Sequence, residues 1–326
     1  MEAGSSRRDF IRRALCGAAI AGLLSRTASA RAKAESDPVD RRRLGRTGAD
    51  VSILGLGLGS AFMDAYEQNL EAGHALLELC LAKGINYWDT ARSYGPSEGM
   101  IARVLAGNRD KVFLASKSDS RDYEGFKRDL DRSLQVLRTS YIDLYQLHDI
   151  RSDELSNLGG IESGAVRAAR EAKNQKMIRA FGVTGHSNSQ ILIECIKRFD
   201  PDTVLTIFPA TRPDKGRYEG ELLPLARARG IGVIAMKTIR YGRQAGLPAK
   251  ELLRYALSLN GVHTAIVGLD SPSRLNENAA IATGFKPMKA AGRFELYRYA
   301  SSGLAGVAAP WERPGYIDGE SRLSAI

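Results

Sequence analysis

The feature that most constrains this chain is a unit that recurs eight times: a short apolar or β-branched run, a turn, then an amphipathic helical stretch. The runs are VSILGLG (51–57), INYWDT (85–90), VFLASK (112–117), IDLYQLH (142–148), IRAFGVT (178–184), TVLTIF (203–208), IGVIAMK (231–237) and HTAIVG (263–268). Strands that alternate with helices pair in parallel through right-handed crossovers, and eight such units close into a cylinder. The expected fold is therefore a (β/α)8 TIM barrel. Leu70 to Ala82 carries apolar residues at helical spacing and is stopped by Gly84; Phe126 to Leu137 places Leu130, Leu134 and Leu137 on one face; Leu222 to Arg229 ends at Gly230. A doubly wound open sheet would need a Gly-x-Gly-x-x-Gly turn into its first helix. Gly55, Gly57 and Gly59 are followed by Ser60 and Ala61, so the fingerprint fails.

At 326 residues and 44% hydrophobic, the chain can bury a core of that size as one domain. Residues 41–50 (RRRLGRTGAD) precede the first run and are expected to form a hairpin that plugs the bottom of the barrel, which occupies 41–285. Residues 286–326, with Tyr297, Tyr299, Trp311 and Tyr316, read as a C-terminal tail or a loop over the mouth. Residues 31–40 read as a polar linker.

The formal charge is +10. Residues 1–30 hold five arginines against Glu2 and Asp9, a net +3, and the remaining +7 is scattered, which argues against nucleic-acid binding. Residues 1–30 look like an address: Arg7-Arg8 with Phe10, an apolar stretch from Ala14 to Leu24 too short for a bilayer span, and Ala28-Ser29-Ala30 as a cleavage site. The segment resembles a twin-arginine signal peptide, which implies the twin-arginine export machinery as a partner, a periplasmic destination and no stable membrane span after cleavage. An uncleaved, membrane-anchored form is the alternative. Of three cysteines, Cys16 lies in this leader, and Arg13 spoils it as a lipid site; Cys80 and Cys195 sit in apolar helical runs as small hydrophobes. Without a Cys-x-x-Cys cluster no metal is expected.

In a parallel barrel, reactive groups gather at the carboxyl ends of strands. Asp89 closes the second run, Tyr94 follows in the next loop, Lys117 closes the third and His148 the fourth. Each alone is an ordinary rim residue; on three consecutive strands they make a constellation. Reducing a carbonyl needs hydride on carbon and a proton on oxygen. A tyrosine, with its ordinary pKa near ~10, is a usable acid if an ammonium lowers that value. Lys117 supplies the charge, Asp89 keeps it protonated, and His148 orients the substrate oxygen.

These residues lie in an ordered set of motifs: Leu44-Gly45-Arg46-Thr47-Gly48, Asp89-Thr90-Ala91, Tyr94-Gly95, Ser97-Glu98, Lys117, Ser133-Leu134, Tyr141 to His148, Phe181-Gly182-Val183, Ile266-Val267-Gly268 and Glu277-Asn278. From Leu44 to about Ala280 the chain resembles the aldo-keto reductase family, whose tetrad of Asp, Tyr, Lys and His falls on Asp89, Tyr94, Lys117 and His148. The resemblance implies NADP(H), with NAD(H) as the alternative, lying extended across the barrel mouth. It places Gly57 and Gly59 against the cofactor backbone, Thr184 and Gly185 at the carboxamide, and Met236 and Lys237 beside the nicotinamide and pyrophosphate. Ser271 and Arg274 then meet the 2′-phosphate, and Glu277 and Asn278 the adenine. The chain departs from the family in three places. Gly185 stands where the family has Asn, Gly268 where many members have Lys, and TVLTIFPATRP lacks the glutamine usual near the end of the sixth strand. His186 is a further residue near the mouth.

The resulting expectation is an NAD(P)H-dependent oxidoreductase reducing aldehydes, ketones or sugars, or oxidising the corresponding alcohols. The alternative is a barrel that binds the cofactor but serves as a partner-binding or sensing subunit with little turnover. A carboxylate-driven hydrolase on the same barrel would need paired acids, and Asp89 and Asp149 do not make an obvious pair.

Overall fold

The computed structural model describes residues 37–210, 217–239, 241–304, 307–309, 311, 316 and 318. The leader at 1–30 and the linker residues 31–36 lie outside the described residues. Val39 to Ile326 forms one unit. A two-stranded antiparallel sheet, β1 (Arg41–Arg43) and β2 (Asp50–Ser52), comes first. Then follow β3 (Leu54–Gly57), β4 (Tyr87–Asp89), β5 (Phe113–Ser118), β6 (Ile142–Leu147), β7 (Ile178–Thr184), β8 (Thr203–Ile207), β9 (Gly232–Met236) and β10 (Thr264–Gly268). These eight pair in parallel in sequence order, and β10 closes on β3. Every strand of the expected barrel is present. Val51 and Ser52, read as the start of the first barrel strand, belong instead to the hairpin.

The helices are α1 (Ser60–Tyr66), α2 (Leu70–Ala82), α3 (Ser97–Ala106), α4 (Tyr123–Leu137), α5 (Leu158–Ile161), α6 (Arg167–Asn174), α7 (Ser189–Phe199), α8 (Leu223–Ala228), α9 (Ala249–Leu257), α10 (Pro272–Ala282) and α11 (Ala290–Gly303). Strands β4, β5, β6, β8 and β9 are buried at every residue, which is why they read as continuous apolar runs without alternation. Asn69 and Asp122 cap α2 and α4 by accepting from the Ala72 and Gly125 amides, and α4 buries Phe126, Leu130 and Leu137. Buried Cys80 and Cys195 are both free thiols, pushed up to about 12 by burial. No helix among the described residues is long and apolar enough to cross a membrane. The stretch expected as a C-terminal tail or a loop over the mouth contains α11, which hides only Ala300 and leaves Phe294 and Tyr299 exposed.

The hairpin closes the amino end of the barrel. Leu44 is fully buried, and a Cβ on Gly232 would lie 2.8 Å from its side chain. The Arg46 amide donates to Gly230 O at 2.6 Å, and Arg42 Nη1 donates to Leu257 O and Val262 O at 3.0 and 2.7 Å. Gly45 has φ +47, and a side chain there would strike the Gly232 backbone at 2.3 Å, so only glycine serves. Leu44→Ala is expected to destabilise the protein by about 2–5 kcal/mol through the cavity it leaves at this seal. Thermal or urea unfolding measures it, and an unchanged midpoint would show that the hairpin is decoration.

Candidate active site

One strand parity gathers the site. In β4 and β5, Asp89 is level with Ala115, and Lys117 lies two residues further on the same face of its strand. Lys117 is level with Gln146 in β6, Gln146 with Gly182 in β7, and Gly182 with Thr203 in β8. His148 follows Gln146 by two. Large side chains from consecutive strands crowd this layer, and Gly182 relieves it: a Cβ there would lie 2.4 Å from Thr203 Oγ1 and 2.9 Å from Gln146 Cγ.

The expected tetrad comes together. Lys117 is fully buried. Its Nζ donates to Asp89 Oδ1 at 2.6 Å, to Thr90 O at 2.8 Å and to the Tyr94 hydroxyl oxygen at 3.5 Å, so each ammonium proton has an acceptor. Burial pushes the Asp89 carboxyl up, against the opposing pull of Lys117. Gln146 Nε2 also donates to Asp89 Oδ2 at 3.3 Å. The loop that carries Tyr94 is clamped from below. Thr90 Oγ1 and Ser97 Oγ are 2.8 Å apart, and Ser97 Oγ donates to Leu58 O at 2.7 Å. Arg92 pairs with buried Glu98, which also accepts from Ser116 Oγ at 2.7 Å. A Cβ on Gly59 would lie 3.3 Å from the Tyr94 ring, so Gly59 gives the ring its room.

The His148 ring stands edge-on to Tyr94, centroids 5.5 Å apart. It meets a carboxylate on each nitrogen: Asp119 Oδ1 at 2.8 Å from Nδ1 and Asp318 Oδ2 at 3.2 Å from Nε2. Ser93 Oγ lies 3.2 Å from Nδ1. Burial opposes a charge on His148, but the hydrogen bonds to Asp119 and Asp318 outweigh it and raise the imidazole above its ordinary value. Asp119 is held low: burial resists its charge, and the His148 contact prevails. The phenol departs from expectation. Tyr94 is pushed well above its usual value, first by burial and then by the charges of Asp318 and Asp89. Asp318, of the C-terminal stretch, accepts from the Tyr94 hydroxyl at 3.3 Å. Asp119, Gln146 and Asp318 were not singled out in the sequence. The only hint for Asp119 was its place two residues past Lys117.

A groove of about 510 Å³ runs from Tyr94 along the ends of β9, β10 and β3 to the start of α10. Of the residues expected at a cofactor, Gly57, Gly59, Met236, Lys237, Gly268, Arg274, Glu277 and Asn278 line it. Gly268 and Gly57 are level across β10 and β3, and a Cβ on Gly268 would lie 2.8 Å from the Ala61 Cβ, so these glycines leave the groove clear. Lys237 takes a left-handed backbone, φ +55, at the end of β9. A groove that carries Lys237, Arg243 and Arg274 and is kept open by glycines fits an extended dinucleotide with anionic phosphates. Thr184, Gly185 and Ser271 do not line it. Thr184 Oγ1 accepts from the Asp149 amide at 2.8 Å. A Cβ on Gly185 would lie 2.8 Å from Ile150 O. Ser271 caps α10 by accepting from the Arg274 amide. His186 is buried, its imidazole lowered to about 4 by burial and then by Lys237. It lies 3.0 Å from Asp149 Oδ1, off the line of a hydrogen bond, and neither atom has a hydrogen-bond partner among the described residues.

The Asp119–His148 contact sets a pH dependence. A raised imidazole stabilises the fold fully below its ordinary ~6.5, and that stabilisation disappears as pH rises through the raised folded value. Asp119→Asn is expected to move the His148 midpoint down and to reduce the stability gained as pH falls through the raised value toward ~6.5. Histidine NMR titration reads the midpoint directly; equal midpoints in both proteins would show that Asp119 has no hold on the ring.

The profile of the aldo/keto reductase family matches residues 53–251. The chain is 27% identical over 294 residues to L-galactose dehydrogenase from Arabidopsis thaliana, covering 75% of this chain and 88% of that protein. It is 31% identical over 154 residues to D-arabinose 1-dehydrogenase from Saccharomyces cerevisiae, covering 42% of this chain and 44% of that one. An aldo-keto reductase structure from Bacillus halodurans superposes with a TM-score of 0.68 at 23% identity, covering 80% of this chain and 96% of that chain, a likeness of fold. With its tetrad at the carboxyl end of a closed eight-stranded barrel and its groove beside it, the chain belongs to the aldo/keto reductase family, the nicotinamide-dependent carbonyl oxidoreductases.

Proposed function

We propose that the protein transfers a proton from Tyr94 to the oxygen of an aldehyde, ketone or sugar carbonyl while NADPH serves as the reductant, and runs the same step in reverse on the corresponding alcohol. One observation carries this reading: the Tyr94 hydroxyl and His148 Nε2 share a single acceptor position, and the buried Lys117 ammonium stands behind the phenol at 3.5 Å. The nicotinamide, when bound, supplies or accepts the hydride at carbon. Tyr94 then donates its proton to the oxygen. The Lys117 ammonium stabilises the phenolate left behind, Asp89 holds Lys117 charged, and His148 fixes the oxygen in line with the hydroxyl. Gly57, Gly268 and Lys237 would hold the cofactor along the groove.

Sugars are the favoured substrate class, supported by the relatives named for L-galactose and D-arabinose. NADP is favoured over NAD by Arg274, whose guanidinium suits a 2′-phosphate; in the free protein it pairs with Asp270 at 2.8 Å, so the phosphate must win it from that carboxylate. The protein is exported by the twin-arginine route to the periplasm and then loses residues 1–30, supported by Arg7-Arg8, Phe10 and the Ala28-Ser29-Ala30 site. After that cleavage the linker 31–40 precedes the barrel and hairpin at 41–285 and the C-terminal stretch 286–326.

NADPH oxidation with a panel of aldehydes and aldoses tests the reaction. Tyr94→Phe is expected to lower kcat by about 10²–10⁴-fold with the cofactor Kd little changed, the usual worth of a positioned acid; equal turnover would remove Tyr94 from the chemistry. Arg274→Ala is expected to raise the Kd for NADPH roughly 10–100-fold and leave NADH unaffected, since only the phosphate loses a charge-assisted bond. A matched rise for both nucleotides would place Arg274 elsewhere on the cofactor.

A further inference from the structure

The carboxylate of Asp318 lies where a substrate oxygen has to lie. Its Oδ2 accepts from the Tyr94 hydroxyl at 3.3 Å and meets His148 Nε2 at 3.2 Å, the two groups that address the reacting oxygen. Its Oδ1 accepts from Lys237 Nζ and, at 3.0 Å, from the Tyr316 hydroxyl, with His186 Nε2 3.8 Å away. The side chain is only 10% exposed. The partners Tyr94, Lys237 and Tyr316 line the same groove as Asp318 itself. Nearby residues of the C-terminal stretch pack onto the barrel: Trp311 is buried with its ring 5.8 Å from Tyr241, and the Tyr241 hydroxyl donates to Val307 O. Burial works against a charge on Asp318, but the Lys237 ammonium and the hydrogen bond with His148 hold its carboxyl well below the usual range. Its contacts with Lys237, Tyr316 and Tyr94 are those of a carboxylate acceptor.

Two oxygens cannot occupy one position between Tyr94 and His148. The carbon of a carboxylate is too poor an electrophile to receive hydride, so the occupied site is idle. We propose that Asp318 is a tethered competitive inhibitor: in the free protein it fills the catalytic pocket, and substrate is admitted only by displacing it. This rests on the catalytic reading of Tyr94 and His148. Tethering keeps the carboxylate at a high local concentration, so a substrate binds with its intrinsic affinity reduced by the fraction of molecules in which the pocket is open. A group bound in the groove that draws Lys237 away from Asp318 loosens the plug, and by reciprocity the plug weakens binding of that group.

The test removes the carboxylate and returns it untethered. In Asp318→Ala, formate matches the lost group. Formate at tens of millimolar is expected to raise the thermal midpoint of Asp318→Ala by several degrees and that of the wild type by less than about one, a reading that needs neither cofactor nor substrate. With NADPH and an uncharged aldehyde, KM is expected to fall roughly tenfold in Asp318→Ala, and formate to inhibit the variant competitively at a concentration at least tenfold lower than it inhibits the wild type. Asp318→Asn, which keeps the shape and loses the charge, is expected to fall between the two. Equal formate shifts in variant and wild type, or a KM that rises in both variants, would overturn the proposal. Absence of turnover in every protein would remove the reductase reading while the formate shifts still decide who occupies the pocket.

Discussion

A single buried ammonium holds this structure's chemistry together. Lys117 sits with no solvent exposure, a position in which an unpaired amine would shed its proton. It stays useful because the fold meets each of its protons: a carboxylate, a backbone carbonyl and a phenol. The first belongs to the neighbouring strand, the second to the residue that begins the following loop, the third to the middle of that loop. A change in β4–β5 register by one residue would turn Lys117 away from Asp89 and dismantle all three contacts together. The clamps under the loop, Thr90 with Ser97 and Arg92 with Glu98, act on the same geometry from a greater distance.

The surroundings divide into groups that tune the phenol and groups that hold the acceptor. Lys117 and Asp89 stand behind Tyr94. His148, steadied by Asp119, stands beside the position the Tyr94 proton moves toward. In the plugged state the charge of Asp318 works against ionisation of Tyr94, so the same carboxylate that fills the pocket also weakens its acid. A neutral carbonyl in that place carries no such charge.

The barrel was legible in the sequence because parallel strands buried on both faces leave long apolar runs, and the tetrad was legible because polar residues interrupt those runs at their carboxyl ends. Most of the groove was legible through the family's motifs. Thr184 and Ser271, read as cofactor residues, do not line the groove, and their hydroxyls serve the backbone: one accepts from the Asp149 amide and the other caps α10. Helix α11 escaped notice because it buries so little that no apolar stripe marks it. Asp318 could not be foreseen, since its partners Tyr94, His148 and Lys237 come from three distant segments and nothing local in the C-terminal stretch announces them.

The closure of β10 on β3 has a consequence for how the molecule comes into being. The level pairs Ala265 with Leu54 and Gly268 with Gly57 join points about two hundred residues apart, so the cylinder is an open sheet with two raw edges until nearly the whole chain has left the ribosome. During synthesis those edges are the surfaces most exposed to mispairing with other nascent chains. Gly45 seats against Gly232 under the same constraint, for its socket does not exist until β9 has been made.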